Sequence, residues 1–363
     1  MQRVGAVLAA APAHQRLALG HRAMMPSRRA AEVLRIEPSG GARDYLHVRL
    51  RSSILISAVA SLGCLGAGCP CSTDHVVELG GGVRLEAMSV AWVDGHADGS
   101  NSTYLTVGVG AEGLIATWFK TSARKQTYRV DIRRPTSADL HDISSADGEF
   151  TAVGAGGVIL QSADAIEWTP VEVPGLDADL WSVTPVRVGS AWWLTVVGDG
   201  VLMVRDDDGV WHQPPAPADG WGQLRALFHD SSGHVVVGLA GVAWSATELV
   251  GEWNEEATGV EADLTTAAFG SCAAGSGGTL VCRELDGWQV IETGVDVDFV
   301  DASASRVLTA DGRVYTLDDH RMLALVAEYD GTFSALSDVD SKLRLARDGE
   351  VVIDDSEACT QFE

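Results

Sequence analysis

Lysine is almost missing from this chain, occurring at three of 363 positions, while aspartate and glutamate together occupy 50. The net charge is −24 at pH 7. So acidic a surface repels phosphate backbones and anionic lipid headgroups, which argues against nucleic acid as a partner. The shortage of positive charge is also uneven. Nine of the 26 basic residues, against only three acids (Glu32, Glu37, Asp44), fall within residues 1–71. The remainder is therefore more acidic than the whole. It would attract cations or a basic partner, and the plainer reading is a soluble surface adapted to salt.

Other absences narrow the field. The ten histidines are scattered, with no HExxH and no close His pair, so no metal site and no cofactor is expected. No 3.6-residue hydrophobic period runs through the body of the chain, which sets aside helical solenoids. The most apolar stretch, within residues 52–69, is too short and too rich in glycine to span a membrane comfortably. What is abundant is glycine, at 40 residues, with 11 tryptophans. That mixture suits many short strands joined by tight turns.

Residues 48–71 have the form of an export signal. Val48-Arg49-Leu50-Arg51 gives a basic start, Ile54-Leu55-Ile56-Ser57-Ala58-Val59-Ala60 a short apolar run, and Gly66-Ala67-Gly68-Cys69 a small-residue end. Such signals normally begin at the initiator. Residues 1–47 are therefore read as a cleaved extension or as a start placed too early, with Val48, readable from a GTG codon, as the first residue. The segment resembles a bacterial lipoprotein signal, which makes Cys69 the lipidation candidate. Gly66 departs from the preferred Leu of that pattern, and simple secretion is the alternative. The expected location is the cell envelope (outer membrane or periplasm) or outside the cell, with membrane contact only through an N-terminal lipid.

Beyond this segment the sequence repeats. An apolar-Gly step ends at Gly108, Gly154, Gly198, Gly238 and Gly275, and weaker copies occupy Val307–Gly312 and Leu343–Gly349. Each step is followed by a turn and a second apolar stretch, such as Gly200-Val201-Leu202-Met203-Val204. In four consecutive copies a tryptophan follows 13 to 15 residues after the glycine: Trp168, Trp211, Trp253 and Trp288. A strand-like segment precedes each step, as in Asp179-Leu180-Trp181-Ser182-Val183. Four short strands in about forty residues describe a propeller blade. The seventh copy runs out after its third strand, while His75-Val76-Val77-Glu78-Leu79 is a strand with no blade of its own. The sequence thus predicts an all-β, seven-bladed β-propeller over residues 76–363, closed by an N-terminal strand that completes the last blade.

The best copy, Thr151–Pro170 (TAVGAGGVILQSADAIEWTP), resembles the BNR/Asp-box propellers and the photosystem-assembly-factor (HCF136/Ycf48-like) propellers. Ser162 and Asp164 match the Ser-x-Asp of the Asp box, and Trp168 matches its Trp. Ala165-Ile166-Glu167 departs from the usual Gly and Thr, and other blades lose Ser-x-Asp. The resemblance implies a structural, turn-stabilising role for Asp164. It also implies the runner-up function, a carbohydrate-binding or sialidase-like enzyme, because sialidases share this kind of propeller. A sialidase would need several arginines converging on one carboxylate, and no such set stands out here.

The remaining motifs have plain readings. Gly108-Val109-Gly110-Ala111-Glu112-Gly113 matches GxGxxG, but the same place in every other copy is a turn, so a hairpin is expected and not a dinucleotide site. Asp206-Asp207-Asp208-Gly209 reads as a solvated hairpin turn. Cys272 and Cys282 flank a turn symmetrically, and Cys71 and Cys359 sit at the two sides of the ring's seam. Each pair is a disulfide candidate in an oxidising compartment, with free buried thiols as the alternative. One of Trp192-Trp193 would face the core and the other could be exposed. The expected molecule is a monomer that acts as a non-catalytic binding scaffold for an envelope protein, with a basic surface favoured in that partner.

Overall fold

The computed structural model describes residues 31–37, 46–53, 75–80, 83–93, 103–122, 127–318, 321–339 and 342–354. They form an all-β ring of seven antiparallel blades. Blade 1 comprises Leu85–Val93, Thr103–Gly110, Leu114–Ser122 and Thr127–Arg133. Blade 3 comprises Leu180–Val188, Ala191–Gly198, Val201–Arg205 and Trp211–His212. Blades 2, 4, 5 and 6 repeat the same up-and-down order. The first strand of each blade contacts the first strand of the next, and that of blade 7, Phe333–Val339, contacts that of blade 1. These inner strands surround the central channel.

Blade 7 closes as the sequence predicts. Its second and third strands are Lys342–Arg347 and Glu350–Asp354, and its fourth is His75–Glu78, paired antiparallel with Val76 opposite Val352. The Leu79 N–H donates to the Gly349 carbonyl at 2.7 Å and extends the seam. Each strand supplies the ladder the other lacks, which covers an open sheet edge on both.

A further hairpin goes beyond what the sequence predicts. Ala31–Glu37 pairs antiparallel with Leu46–Ser53, the first also running parallel to His75–Glu78 and the second pairing with Thr127–Arg133. This hairpin joins the outer edges of blades 7 and 1 into one ten-stranded sheet. It falls in segments that the sequence reads as extension and signal.

The core is divided between the blades. Seven clusters of buried apolar side chains among the described residues each span one blade-to-blade interface, for example Val107, Ile115, Phe150 and Leu160 between blades 1 and 2. The repeat tryptophans belong to these clusters. Trp168, Trp211, Trp253 and Trp288 each stand in or just before the fourth strand and pack back against the preceding blade. An indole recurs there because it is the largest apolar body available to fill the widening outer part of the wedge.

The repeat glycine also has a local cause. A Cβ on Gly154, Gly198, Gly238 or Gly275 would lie 1.8–2.1 Å from the carbonyl oxygen of the residue that precedes its blade's first strand. No side chain fits at that separation. In blade 1 the position belongs to Gly110, 2.1 Å from the Arg84 oxygen, and not to Gly108, which sits under Leu85. In that one blade the structural position lies two residues beyond the glycine that the sequence repeat picks out. A shift of two preserves which face each side chain takes, so the hydrophobic pattern could not expose it.

Candidate functional site

The close approach at the glycine comes from a β-bulge at the start of each first strand. In blade 2, Leu140 pairs with Gly154 and Asp142 with Val153, so His141 has no place in the register. The same skip omits Glu86 in blade 1, Trp181 in blade 3, Arg225 in blade 4 and Thr265 in blade 5. It omits Val300 and Ser334 in blades 6 and 7. A bulge re-aims the extra side chain. Here all seven line one cavity of about 590 Å3 at the mouth of the channel.

The mouth has two unlike halves. Across blades 2 to 4 the bulge residues stack. The rings of His141 and Trp181 lie 4.1 Å apart at 29°, and the Arg225 guanidinium carbon lies 4.3 Å from the centre of the Trp181 ring. Asp199, in the turn after the second strand of blade 3, ties the stack together. Its Oδ1 accepts from Trp181 Nε1 at 3.0 Å and from Arg225 Nη1 at 2.7 Å. Arg225 Nη1 also donates to the Leu224 carbonyl at 2.9 Å. The Arg225 side chain is only 12 % exposed, so its cation–π contact is largely desolvated and worth about 1–2 kcal/mol. Burial holds the His141 pKa below its ordinary value. The carboxylates of Asp179, Asp139 and Glu86 oppose that shift, and Arg225 adds to it. The imidazole in the stack is accordingly neutral at pH 7.

The other half carries small residues and acids. Asp263 and Asp298 line it, but each also has a structural duty. Asp139, Asp179, Asp263 and Asp298 precede the first strands of their blades, and each Oδ1 accepts a turn N–H from the blade before. The donors are Glu112, Gly156, Ala240 and Gly277, at 2.7–2.9 Å. Part of the chain's acidity therefore latches blade to blade. At the junction of blades 3 and 4 the acid is transposed: Gln223 takes the latch position, and Asp199 in the facing turn reaches Arg225.

Two further carboxyls sit in the channel wall. Asp142 accepts from the N–H groups of Ile143 and, in the next blade, Val183. Asp301 does the same with Ala302 and, in the next blade, Leu336. Desolvation pushes Asp142 up to about 6 against the pull of the Val183, Ile143 and Ser182 hydrogen bonds. Burial likewise pushes Asp301 up to about 7, and the charge of Asp142 adds to it.

The residues singled out from sequence fall elsewhere. Ser162 Oγ donates to Asp164 Oδ1 at 3.0 Å, and the same oxygen accepts from the N–H groups of Ile166 and Glu167 at 2.8 and 2.9 Å. Burial raises the Asp164 pKa, but these donors outweigh it and leave the carboxyl below its ordinary value. Cys272 and Cys282 pair across adjacent strands and are joined by a disulfide. Cys69, Cys71 and Cys359 lie outside the described residues. Gly108–Gly113 spans a strand, Thr103–Gly110, and the turn into another, Leu114–Ser122, so no helix follows to face a pyrophosphate. The Asp206 turn is closed by its own Val210 N–H and by His212. Trp192 is exposed and Trp193 half-buried.

Fold and site together define a seven-bladed β-propeller with a rigid, asymmetric channel mouth. No protein-family model matches the sequence, and no curated protein does. Solved structures share the fold. A structure described as YCF48 bound to D1 peptide is 16% identical with a TM-score of 0.55, over 77% of this chain and 94% of that one. YCF48 from Cyanidioschyzon merolae is 14% identical, also with a TM-score of 0.55, over 77% and 98%. Virginiamycin B lyase from Staphylococcus aureus, an enzyme, is 11% identical with a TM-score of 0.57, over 78% and 99%. Likeness at these identities extends to the fold alone.

Proposed function

We propose that this is an exported, non-catalytic propeller, lipid-anchored through Cys69, that serves as a protein-binding scaffold of the cell envelope. The observation that carries the reading is the stack of His141, Trp181 and Arg225 at the channel mouth. Tryptophan and arginine dominate the binding energy of protein interfaces. Here Asp199 locks them before any partner arrives, so docking loses little side-chain freedom. The acids of the opposite half favour a basic surface on the partner. That a propeller of this fold, YCF48, is described bound to a D1 peptide supports peptide or protein binding by such a scaffold.

A glycoside hydrolase would want two carboxyls facing one cavity, one protonated as acid and one ionised as base or nucleophile, and Asp142 and Asp301 both line the mouth. Each, however, engages both oxygens with main-chain N–H groups of two blades. Their geometry is that of staples between first strands, which favours the scaffold over the hydrolase.

The test is a cross-linked affinity pull-down of the tagged full chain from its native envelope fraction, comparing the unaltered protein with Trp181→Ala. One partner at near-stoichiometric yield, falling at least tenfold in the variant, is the expected result. A protein that comes down alone, or a partner indifferent to Trp181, would remove the basis of the proposal.

A further inference from the structure

Blade 6 ends in an edge unlike the others. The fourth strands of blades 2, 3 and 4 have two residues each, Thr169–Pro170, Trp211–His212 and Asn254–Glu255, and that of blade 5 has four. The outer edges of blades 1 and 7 are covered by the N-terminal hairpin. In blade 6 the fourth strand, Leu323–Glu328, has six residues, and no described strand pairs with its outer side. The main-chain N–H and C=O groups on that side therefore form no ladder.

The side chains along this edge are apolar. Residues 322–327 include no charge, and Met322, Leu325 and Val326 are 57, 53 and 42% exposed. Exposed apolar residues scattered singly are ordinary, but a run of them on an open strand is not. Tyr315 pairs with Leu325 and Val314 with Ala327, so a bulge leaves Val326 outside the register. Apart from that bulge, the edge has neither the proline, the internal charge nor the cover that protects an open strand.

The two ends of the edge are negative. Asp318 precedes it, its Oδ1 accepting the Met322 N–H at 2.8 Å. Glu328 and Asp330 follow, both exposed and without an ion pair among the described residues. The arginines nearby are already paired, Arg313 with Asp311, Arg321 with Glu284 and Arg347 with Glu350.

We infer that blade 6 takes up an extended segment of a partner protein as a fifth strand, the segment being a short uncharged run of β-branched residues with a basic residue at each end. Main-chain pairing supplies the affinity, and alternate side chains of the added strand pack on Leu325 and Val326. Its basic ends meet Asp318 on one side and Glu328 and Asp330 on the other. A second copy of this chain is a poorer occupant. Pairing the edge with itself, in either direction, sets acids against acids, and each copy carries a net charge of −24. A lipid surface is poorer still, because open main-chain groups find no partner in hydrocarbon. The inference does not depend on the proposed role of the mouth.

A labelled peptide of alternating threonine and valine with arginine at both ends, titrated into the purified full chain, tests it. Fluorescence anisotropy reads binding, and amide hydrogen exchange reads its place. The peptide is expected to bind and to slow exchange within residues 323–328. Binding should fall about tenfold in Leu325→Ser, persist in Leu325→Ile and be unchanged in Trp181→Ala. A peptide with proline at its centre, or with glutamate at both ends, should not bind. Leu325 is exposed, so the serine variant should keep the native circular dichroism, and the isoleucine variant separates lost contact from misfolding. No binding, equal binding of the proline or glutamate peptide, or protection elsewhere on the ring would overturn the assignment. Sedimentation showing a dimer that Leu325→Ser dissociates would give the edge to a second copy and overturn it as well.

Discussion

Asp301→Asn should change how stability depends on pH more than it changes stability itself. Burial raises the Asp301 carboxyl from 3.8 to about 7 in the folded protein. Between those values the native state keeps a proton that the unfolded chain has lost. The folded protein binds more protons, so unfolding free energy falls as pH rises through this window and levels off above about 7. At 1.36 kcal/mol per pH unit, Asp301 alone accounts for a loss of about 4 kcal/mol between pH 4 and pH 7. Asp142, raised to about 6, adds roughly 3 kcal/mol over a window ending one unit lower. Self-repulsion among the other carboxylates has the same sign, so the slope of the unaltered protein proves nothing by itself. The informative quantity is the difference between the two proteins. Asn cannot titrate, so urea unfolding from pH 4.5 to 7.5 should show Asp301→Asn least stable relative to the unaltered chain at pH 4.5, with the gap narrowing by several kcal/mol toward pH 7.5. A gap that stays constant across that range would mean that Asp301 does not carry the extra proton in the folded protein.

Two further predictions concern the ring itself. Cys272→Ser with Cys282→Ser should lower stability by about 2–3 kcal/mol, the loop-closure entropy of a ten-residue loop, read from urea midpoints with and without reductant. Gly198→Ala should cost at least about 2 kcal/mol in the same assay, because its Cβ would lie 2.1 Å from the Asp179 oxygen. Gly200→Ala, where φ is +71° but no atom lies within 4 Å, should cost only about 1–2 kcal/mol; equal costs would contradict the close-approach account of the repeat glycine.

Those glycines explain what could be read from sequence. Where an added Cβ would lie within 2.2 Å of a carbonyl oxygen only glycine fits, so Gly154, Gly198, Gly238 and Gly275 recur at blade spacing and reveal the blades. The tryptophans recur because each fills the same outer wedge. Closure was legible because a blade missing its fourth strand and a strand missing its blade match. Hairpin symmetry sets Cys272 opposite Cys282, and the structure joins them. The mouth was not legible, because the bulge dictates where a side chain points and not what it is. Glu86, His141, Trp181, Arg225, Thr265, Val300 and Ser334 share no chemistry. The one available signal was positional, namely the residue after the first buried Leu or Phe of each blade, as in Asp179-Leu180-Trp181. The stack also needed Asp199, which is distant from Arg225 in sequence and becomes its neighbour only through the packing of two blades.

A partner that docks at the channel mouth should be caught there and not elsewhere on the ring. A photo-cross-linking residue placed at Thr265, in the mouth, should capture one envelope protein, while the same residue at Leu285, 97% exposed in a turn outside the mouth, should capture none. Equal capture at both positions, or none at Thr265, would mean that no partner docks at the mouth.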